Sequence, residues 1–240
     1  MDNNAENVGT GSPKPGGSVH AAPAGTAVPI DATSELGTAF ANMGFVTDDG
    51  LKNKQKLDIA QIDAWGAPNI ASKIKSYVET WALTFLENKS DVFKFVYGSG
   101  NVVLTSANAW AASHAYSLND TVAADGKLYK VTTAGTSGST VPTFPATGTV
   151  TDGTVTWTYV SVADPAISVM HGGDERDEWV LVFEIVVNEH LIKRVVIPRA
   201  KVTDLDDVSY KDSDGLGYGC TITAYPDSTN KTSYEYFAEV

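Results

Sequence analysis

The sequence predicts a mainly β protein: a β-sandwich or barrel with one flanking α-helix, divided in the chain by a small inserted all-β domain. Three observations lead there. Ser72–Glu87 (SKIKSYVETWALTFLE) and Gly217–Tyr225 alternate apolar and polar residues at the two-residue period of a half-buried strand. Residues 106–163 read differently: Thr, Gly, Ser, Ala and aromatics dominate, and the charges are only Asp120, Asp125 and Asp152 against Lys127 and Lys130. Neither Ile30–Leu104 nor Leu191–Asp227 can finish a domain alone. The simplest reading is a flexible arm (1–18), one β domain built from 19–105 and 164–240, and a module of 106–163 grown from a loop.

Residues 19–30 hold a short strand entering the core. Ala32–Ala41 (ATSELGTAFA) reads as one or two helical turns capped by Thr33 or Ser34, weakened by Gly37. Phe45-Val46 begins an extended piece that meets the turn Asp48-Asp49-Gly50. Leu51–Trp65 mixes charge with Leu57, Ile59, Ile62 and Trp65 without a clean period, and reads as a long loop or an extended hairpin arm. Long structured loops are usually functional, and Trp65 there is either a core anchor or a contact for a partner subunit. In the strand that follows, Tyr77, Trp81, Leu83 and Phe85 share a face. Asp91–Tyr97 is the predicted helix: Ser90 suits the N-cap, Asp91 the positive end, Val92, Phe93, Val96 and Tyr97 form an apolar stripe, and Gly98 can end it. Val102–Leu104 starts another strand.

Within the insert, strands are short: Thr121–Ala123, Leu128–Thr132 and Val155–Val160. So small a module must draw most of its burial from Trp110, Tyr116, Tyr129, Phe144, Trp157 and Tyr159. Beyond it, Ala166–Met170 is a strand and His171–Asp174 a loop. Glu178–Val187 and Leu191–Pro198 make a hairpin around Asn188-Glu189-His190. Lys201–Tyr210 is extended with a bend at Thr203–Asp207, and Gly217–Tyr225 is the last long strand, ended by Pro226-Asp227. The tail, with Tyr234, Tyr236 and Phe237, either pairs with a neighbouring molecule or frays.

The net charge is −12. The insert carries −1 of it, leaving −11 on the flanks. Such a surface repels phosphate, which argues against a conventional nucleic-acid binder but not against a conduit that DNA must pass without sticking. No apolar run approaches the ~20 residues that span a bilayer, and MDNNAENVGTGSPKPGG lacks the features of a signal peptide; a cytosolic origin is expected. Cys220 is alone and sits in an alternating strand, as a small buried apolar residue would.

No enzyme is expected, and no cofactor or metal. His171-Gly-Gly-Asp174-Glu175-Arg176-Asp177-Glu178 is the strongest rival, yet its spacing matches no ligand pattern and reads as a solvated loop. Gly215-Leu-Gly217-Tyr-Gly219 precedes a strand rather than a helix, unlike a dinucleotide fingerprint.

Three stretches carry a resemblance: MDNNAENVGTGSPKPGGSVHAAPAGTAVPIDAT, FANMGFVTDDGL and KRVVIPRAKVTDLDDVSYKDSDGLGYGCTITAYPD. With them the split domain resembles the major tail (tail tube) proteins of long-tailed bacteriophages. That resemblance implies a structural virion protein of the tail, made in the host bacterial cytoplasm. Hexameric rings stack into a tube conducting DNA from capsid to host, in contact with tail terminator, tape measure and baseplate proteins. It also implies that the terminal arms and the long loop (Asp48, Asp49, Leu57, Ile59, Trp65) bridge rings. Screening limits each charge to about 8 Å at physiological salt, so only carboxylates on the inner wall would meet DNA; Glu79, Glu87, Glu178 and Glu184, on or beside long strands, are the candidates.

The insert is similar to chitin-binding carbohydrate modules in Trp110, Tyr116, Asn119-Asp120, Val122, Gly126 and Tyr129. This implies display on the outside of a tube, with host surface glycans as a partner and Trp110, Tyr116, Tyr129 and Trp157 as candidate sugar-stacking residues, against a structural reading in which the same rings form the module's core. Two alternatives stay open: a secreted or surface glycan-binding protein, and the tube protein of a contractile or secretion-type system.

Overall fold

The computed structural model describes residues 8–105, 107–125, 127–162 and 166–239. The elements are β1 (Ser12–Pro13), β2 (Val19–Pro23), β3 (Ala41–Asn42), β4 (Lys52–Ala64), β5 (Ala67–Phe85) and α1 (Ser90–Tyr97). Then come β6 (Val102–Thr105), β7 (Asn108–Ala109), β8 (Ala115–Tyr116), β9 (Thr121–Ala124), β10 (Lys127–Thr133), β11 (Gly135–Thr136), β12 (Thr149–Asp152), β13 (Val155–Val162) and β14 (Ala166–Val169). Last are β15 (Glu178–Asn188), β16 (Leu191–Leu205), β17 (Tyr218–Ala224) and β18 (Tyr234–Glu239). The protein is mainly β, as the alternation predicts. It divides into two compact units, Met1–Asn101 with His171–Val240, and Val102–Met170.

The first unit is one sheet in the order β3-β2-β15-β16-β17-β5-β4, with β1 added to β15 and β18 to β16. Every pairing in it is antiparallel. The centre is β15 and β16, where Val180–Phe183 and Val195–Ile197 are buried without a break. A strand covered on both faces has no polar side, so alternation disappears there. Trp81 of β5 packs on Phe183 with ring centroids 5.5 Å apart, and Phe85 meets Phe95 of α1 edge-on at 5.7 Å. Pro198 lies inside β16, where a register irregularity between Trp179 and Leu181 on the partner strand absorbs the missing donor.

Helix α1 buries Val92, Phe93, Phe95, Val96 and Tyr97. Its N-cap position is Lys89 rather than Ser90, and no side chain caps it. Gly98 ends it at φ 92, a left-handed value that suits glycine. The freed carbonyl of Tyr97 accepts Arg176 Nη1 at 2.6 Å and Asn101 Nδ2 at 2.9 Å.

Three expectations are corrected. Ala32–Ala41 contains no helix: the Asp31 carboxylate accepts the backbone N–H groups of Thr33 (2.8 Å) and Ser34 (2.6 Å), closing a local turn that competes with helix. Arg194 then takes the carbonyls of Asp31 (2.9 Å) and Ser34 (2.8 Å). The tail neither frays nor needs a neighbour for pairing, because β18 runs from Leu191↔Glu239 to Val196↔Tyr234 along β16. The arm is docked from Thr10 onward: Thr10 N–H bonds Val187 O at 2.7 Å, and β1 pairs with Val186 and Ile185. Residues 1–7, also part of the expected arm, lie outside the described residues.

The second unit holds a five-stranded sheet, β12-β13-β10-β9-β7, and two-stranded pairs β11-β8 and β14-β6. Its core is Tyr116, Val122, Tyr129, Val131, Phe144, Val155 and Trp157, with Trp110, Ala124, Val150 and Tyr159 packed against it. Its limits are wider than 106–163, because β6 and β14 pair with each other, from Val102↔Val169 to Thr105↔Ala166. Gly153, at φ +61, turns β12 into β13, and a Cβ there would sit 2.3 Å from Thr136 O. Gly126 and residues 163–165, which include the expected exit at Asp164, lie outside the described residues.

Candidate assembly surface

Leu51–Trp65 resolves as the first half of a hairpin. β4 and β5 pair from Lys52↔Ala82 to Ala64↔Ala67, and the whole of β4 and β5 as far as Val78 is exposed. Gly66, at φ 80, makes the tip, and the Asp63 carboxylate accepts Asn69 N–H at 2.7 Å to fix it. Trp65 is 106% exposed, so it anchors no core within the subunit. Asp48 and Asp49 lie at the base, where Gly50 N–H bonds Thr47 O at 3.0 Å, with the whole of β4 between them and Trp65.

Paired residues share a face. Asn53 faces the buried Trp81, so the same face continues outward as Leu57 with Tyr77, then Ile59 with Ile74. All four are exposed. This apolar stripe is the core-facing side of the sheet carried past the end of its core. Ile70 belongs to the exposed surface too, and was missed because β5 begins five residues before the alternating run.

The four candidate lumen carboxylates are not equivalent. Glu79 is 1% exposed and is corrected to an interior hub. It accepts Trp81 Nε1 (3.1 Å), Asn53 Nδ2 (3.0 Å), Tyr77 Oη (3.3 Å), Ser233 Oγ (3.0 Å) and Thr232 Oγ1. Glu184 is also corrected: it is buried, accepting Arg194 Nη2 at 2.5 Å and Lys14 Nζ at 2.9 Å. Burial pushes the Glu184 carboxyl up, but the bonds from Arg194 and Lys14 outweigh it and hold the group below its ordinary value. Glu178 is held low by its two bonds to Arg199 at 2.9 and 3.0 Å. Glu87 accepts Phe45 N–H at 3.0 Å and pairs with Lys89 at 3.2 Å. The interior ones escape sequence reasoning because a buried carboxylate on an alternating strand looks like an exposed one until its donors are known.

The stacking residues are corrected in the same way. Tyr116, Tyr129 and Trp157 are buried, and a sugar needs an open ring face. Tyr116 and Trp157 pack edge-on at 4.7 Å, and Tyr129 lies 4.4 Å from Phe144. Tyr116 Oη accepts Ala111 N–H at 2.8 Å and Tyr129 Oη donates to Pro145 O at 2.7 Å. Asp152, itself buried, is the polar centre: it accepts Trp110 Nε1 (2.7 Å), Trp157 Nε1 (3.3 Å) and Gly138 N–H (2.7 Å). Trp110 alone of the four is not fully buried.

His171 stands edge-on to Tyr97 at 4.9 Å. Among the described residues no group of His, Cys, Asp and Glu is placed to hold a metal. Cys220 is buried, and burial pushes its thiol up to about 12. No helix among the described residues is long and apolar enough to cross a membrane.

An open β sheet whose last two strands run on as a long exposed hairpin thus carries the surface of interest. The sequence profile of the family described as phage tail tube protein matches residues 1–121. The chain belongs to this family. The match takes in β1 to β5 and α1, including the whole hairpin; the strands that complete the tail tube sheet, β15 to β18, follow it in the chain and pair with β1, β2 and β5 directly or through β16. Membership assigns a structural role in the phage tail tube. No curated protein matches this tail tube protein.

Proposed function

We propose that copies of this tail tube protein close into hexameric rings and that the rings stack into a hollow tube through which DNA passes from capsid to host. The family match over residues 1–121 carries this reading. Two features support it. Among the described residues the outer strand β4 has no partner strand on its far edge, and an exposed edge of that length invites pairing with another copy. The hairpin from Lys52 to Phe85 exposes an apolar stripe that a solitary subunit gains nothing by displaying.

In this tube the hairpin, with Leu57, Ile59 and Trp65, bridges one ring to the next, and residues 48–49 flank its base. The unit Val102–Met170 hangs on the outside, where it leaves the bore open. Any contact with host surface glycans falls to Trp110 and the module's polar surface, since the other three aromatic rings are enclosed. Whatever carboxylates face the bore within the screening length of about 8 Å keep it from holding DNA. Tail terminator, tape measure and baseplate proteins are the expected neighbours at the ends and in the bore. Native mass spectrometry over rising concentration tests the ring: species at six copies and multiples of six support it, and a persistent monomer or dimer at concentrations that drive assembly overturns it.

A further inference from the structure

The hairpin is amphipathic in charge as well as in hydropathy. Opposite the stripe of Leu57, Tyr77, Ile59 and Ile74 lies a second face that carries Lys52, Lys54, Lys56 and Lys73 beside the exposed Ile62 and Val78, with Asp58 the single carboxylate. Lys75 sits at the register shift beside Asp58, 3.8 Å from it. Residues 52–78 hold five lysines and two aspartates, a net +3, in a chain of −12; the rest of the chain therefore carries −15.

The exposed pairs Lys75–Asp58 and Lys52–Asp49 (3.6 Å) are weak. Among the described residues, no ion pair engages Lys54, Lys56 or Lys73. Alternate residues on a strand stand about 7 Å apart, inside the screening length of about 8 Å, so this row repels itself until an acidic surface meets it.

We propose that the basic face of the hairpin docks on the acidic body of a second copy of this chain, so that charge, and not apolar burial alone, sets the head-to-tail direction of assembly. The inference rests on the tube reading and specifies which surface the bridging hairpin seeks. Each copy supplies both halves, a +3 arm and a −15 remainder, so a heterologous contact can repeat from copy to copy along a stack. A nucleic-acid partner fits less well: the remainder repels phosphate, and a phosphate backbone cannot cover the apolar stripe on the other side of the same ribbon.

The test compares wild type, K54E/K56E/K73E and K54Q/K56Q/K73Q by sedimentation and negative-stain microscopy, with circular dichroism and thermal melting to show that the exposed substitutions leave the fold intact. Raising NaCl from about 0.1 M to about 1 M, which shortens screening from about 10 Å to about 3 Å, should raise the assembly threshold of wild type. The reversal variant should need about tenfold more protein at low salt, with the neutral variant between the two. A reversal variant that forms tubes at the wild-type threshold overturns the inference and leaves the tube reading standing. Absence of polymer in wild type under every condition overturns both. A short fluorescent DNA duplex provides the remaining arm: if wild type binds it, the reversal variant does not, and self-assembly is equal in the two, the basic face reads nucleic acid and the proposal fails.

Discussion

Ser233 donates its hydroxyl to the Glu79 carboxylate, 3.0 Å from each oxygen, and so fastens the turn before β18 to the middle of β5. Asp227 closes that turn from inside, accepting Thr229 N–H (2.8 Å), Lys231 N–H (3.1 Å) and Tyr234 Oη (2.6 Å), which together hold its carboxyl well below the usual range. The C-terminal strand is thus locked at its start by the buried Glu79 carboxylate and shaped by the more open carboxylate of Asp227.

Replacing Glu79 by Ala strands the buried Trp81 Nε1 and takes the acceptor from the half-buried hydroxyls of Thr232 and Ser233. A buried group left unsatisfied costs about 1–3 kcal/mol, so E79A should lose about 2 kcal/mol or more in chemical denaturation. E79Q should fall between, because its amide NH2 faces donors. Proteolysis should cut the 226–233 turn first in both variants, ahead of any site in β15 or β16.

The Glu184–Arg194 pair links the arm to the centre of the sheet, since Lys14 joins it. Its folded carboxyl titrates below the ordinary value of 4.5. The stabilisation is therefore complete above that value and is lost as pH falls through the lower, folded one. E184Q should flatten this acid limb of the stability profile. Removing one partner of a buried pair costs about 3–5 kcal/mol at neutral pH, whereas an apolar replacement of both can be close to neutral. E184A measured beside E184L/R194M checks the difference, with the double variant also losing the bonds from Arg194 to the carbonyls of Asp31 and Ser34.

In the second unit, Asp152 satisfies both indole N–H groups of Trp110 and Trp157. D152A should lower the stability of this unit by about 2–4 kcal/mol. D152N should fall between, because one amide oxygen can still accept both indoles, which share a single carboxylate oxygen, while its NH2 faces the Gly138 N–H. Indole fluorescence and the Nε1–H resonances of the two tryptophans report the change directly.

Val102–Val169 pairing brings the two ends of the second unit side by side. A loop closing over so short a gap costs little. Deleting 102–170 with a short Gly/Ser link should leave a folded, soluble first unit, checked by its circular dichroism and a single cooperative melt. Insoluble or molten protein would place the module inside the core of the tube domain.

The sequence was legible wherever one face of an element meets water. The alternation at Tyr77–Phe85, the stripe of α1 with Gly98 behind it, and the hairpin around Asn188–His190 all reappear in the fold. What stayed hidden depends on partners far along the chain. Leu51–Trp65 has no buried side, because both faces of the hairpin are exposed, so its alternation is of lysines against Leu57 and Ile59 and not of core against solvent. Ala32–Ala41 carries fair helix formers, but Asp31 and Arg194, 163 residues apart, satisfy its backbone another way. Glu79 and Glu184 have the composition of surface residues, and only their bonded donors mark them as interior.

Cryo-electron microscopy of the assembled wild-type protein tests the central claim most directly. The expected image is a hollow tube of sixfold rings whose wall is the nine-stranded sheet, with residues 52–85 reaching into the next ring and Val102–Met170 standing on the outer surface. Filaments without a bore, or a module that fills it, would contradict the assignment.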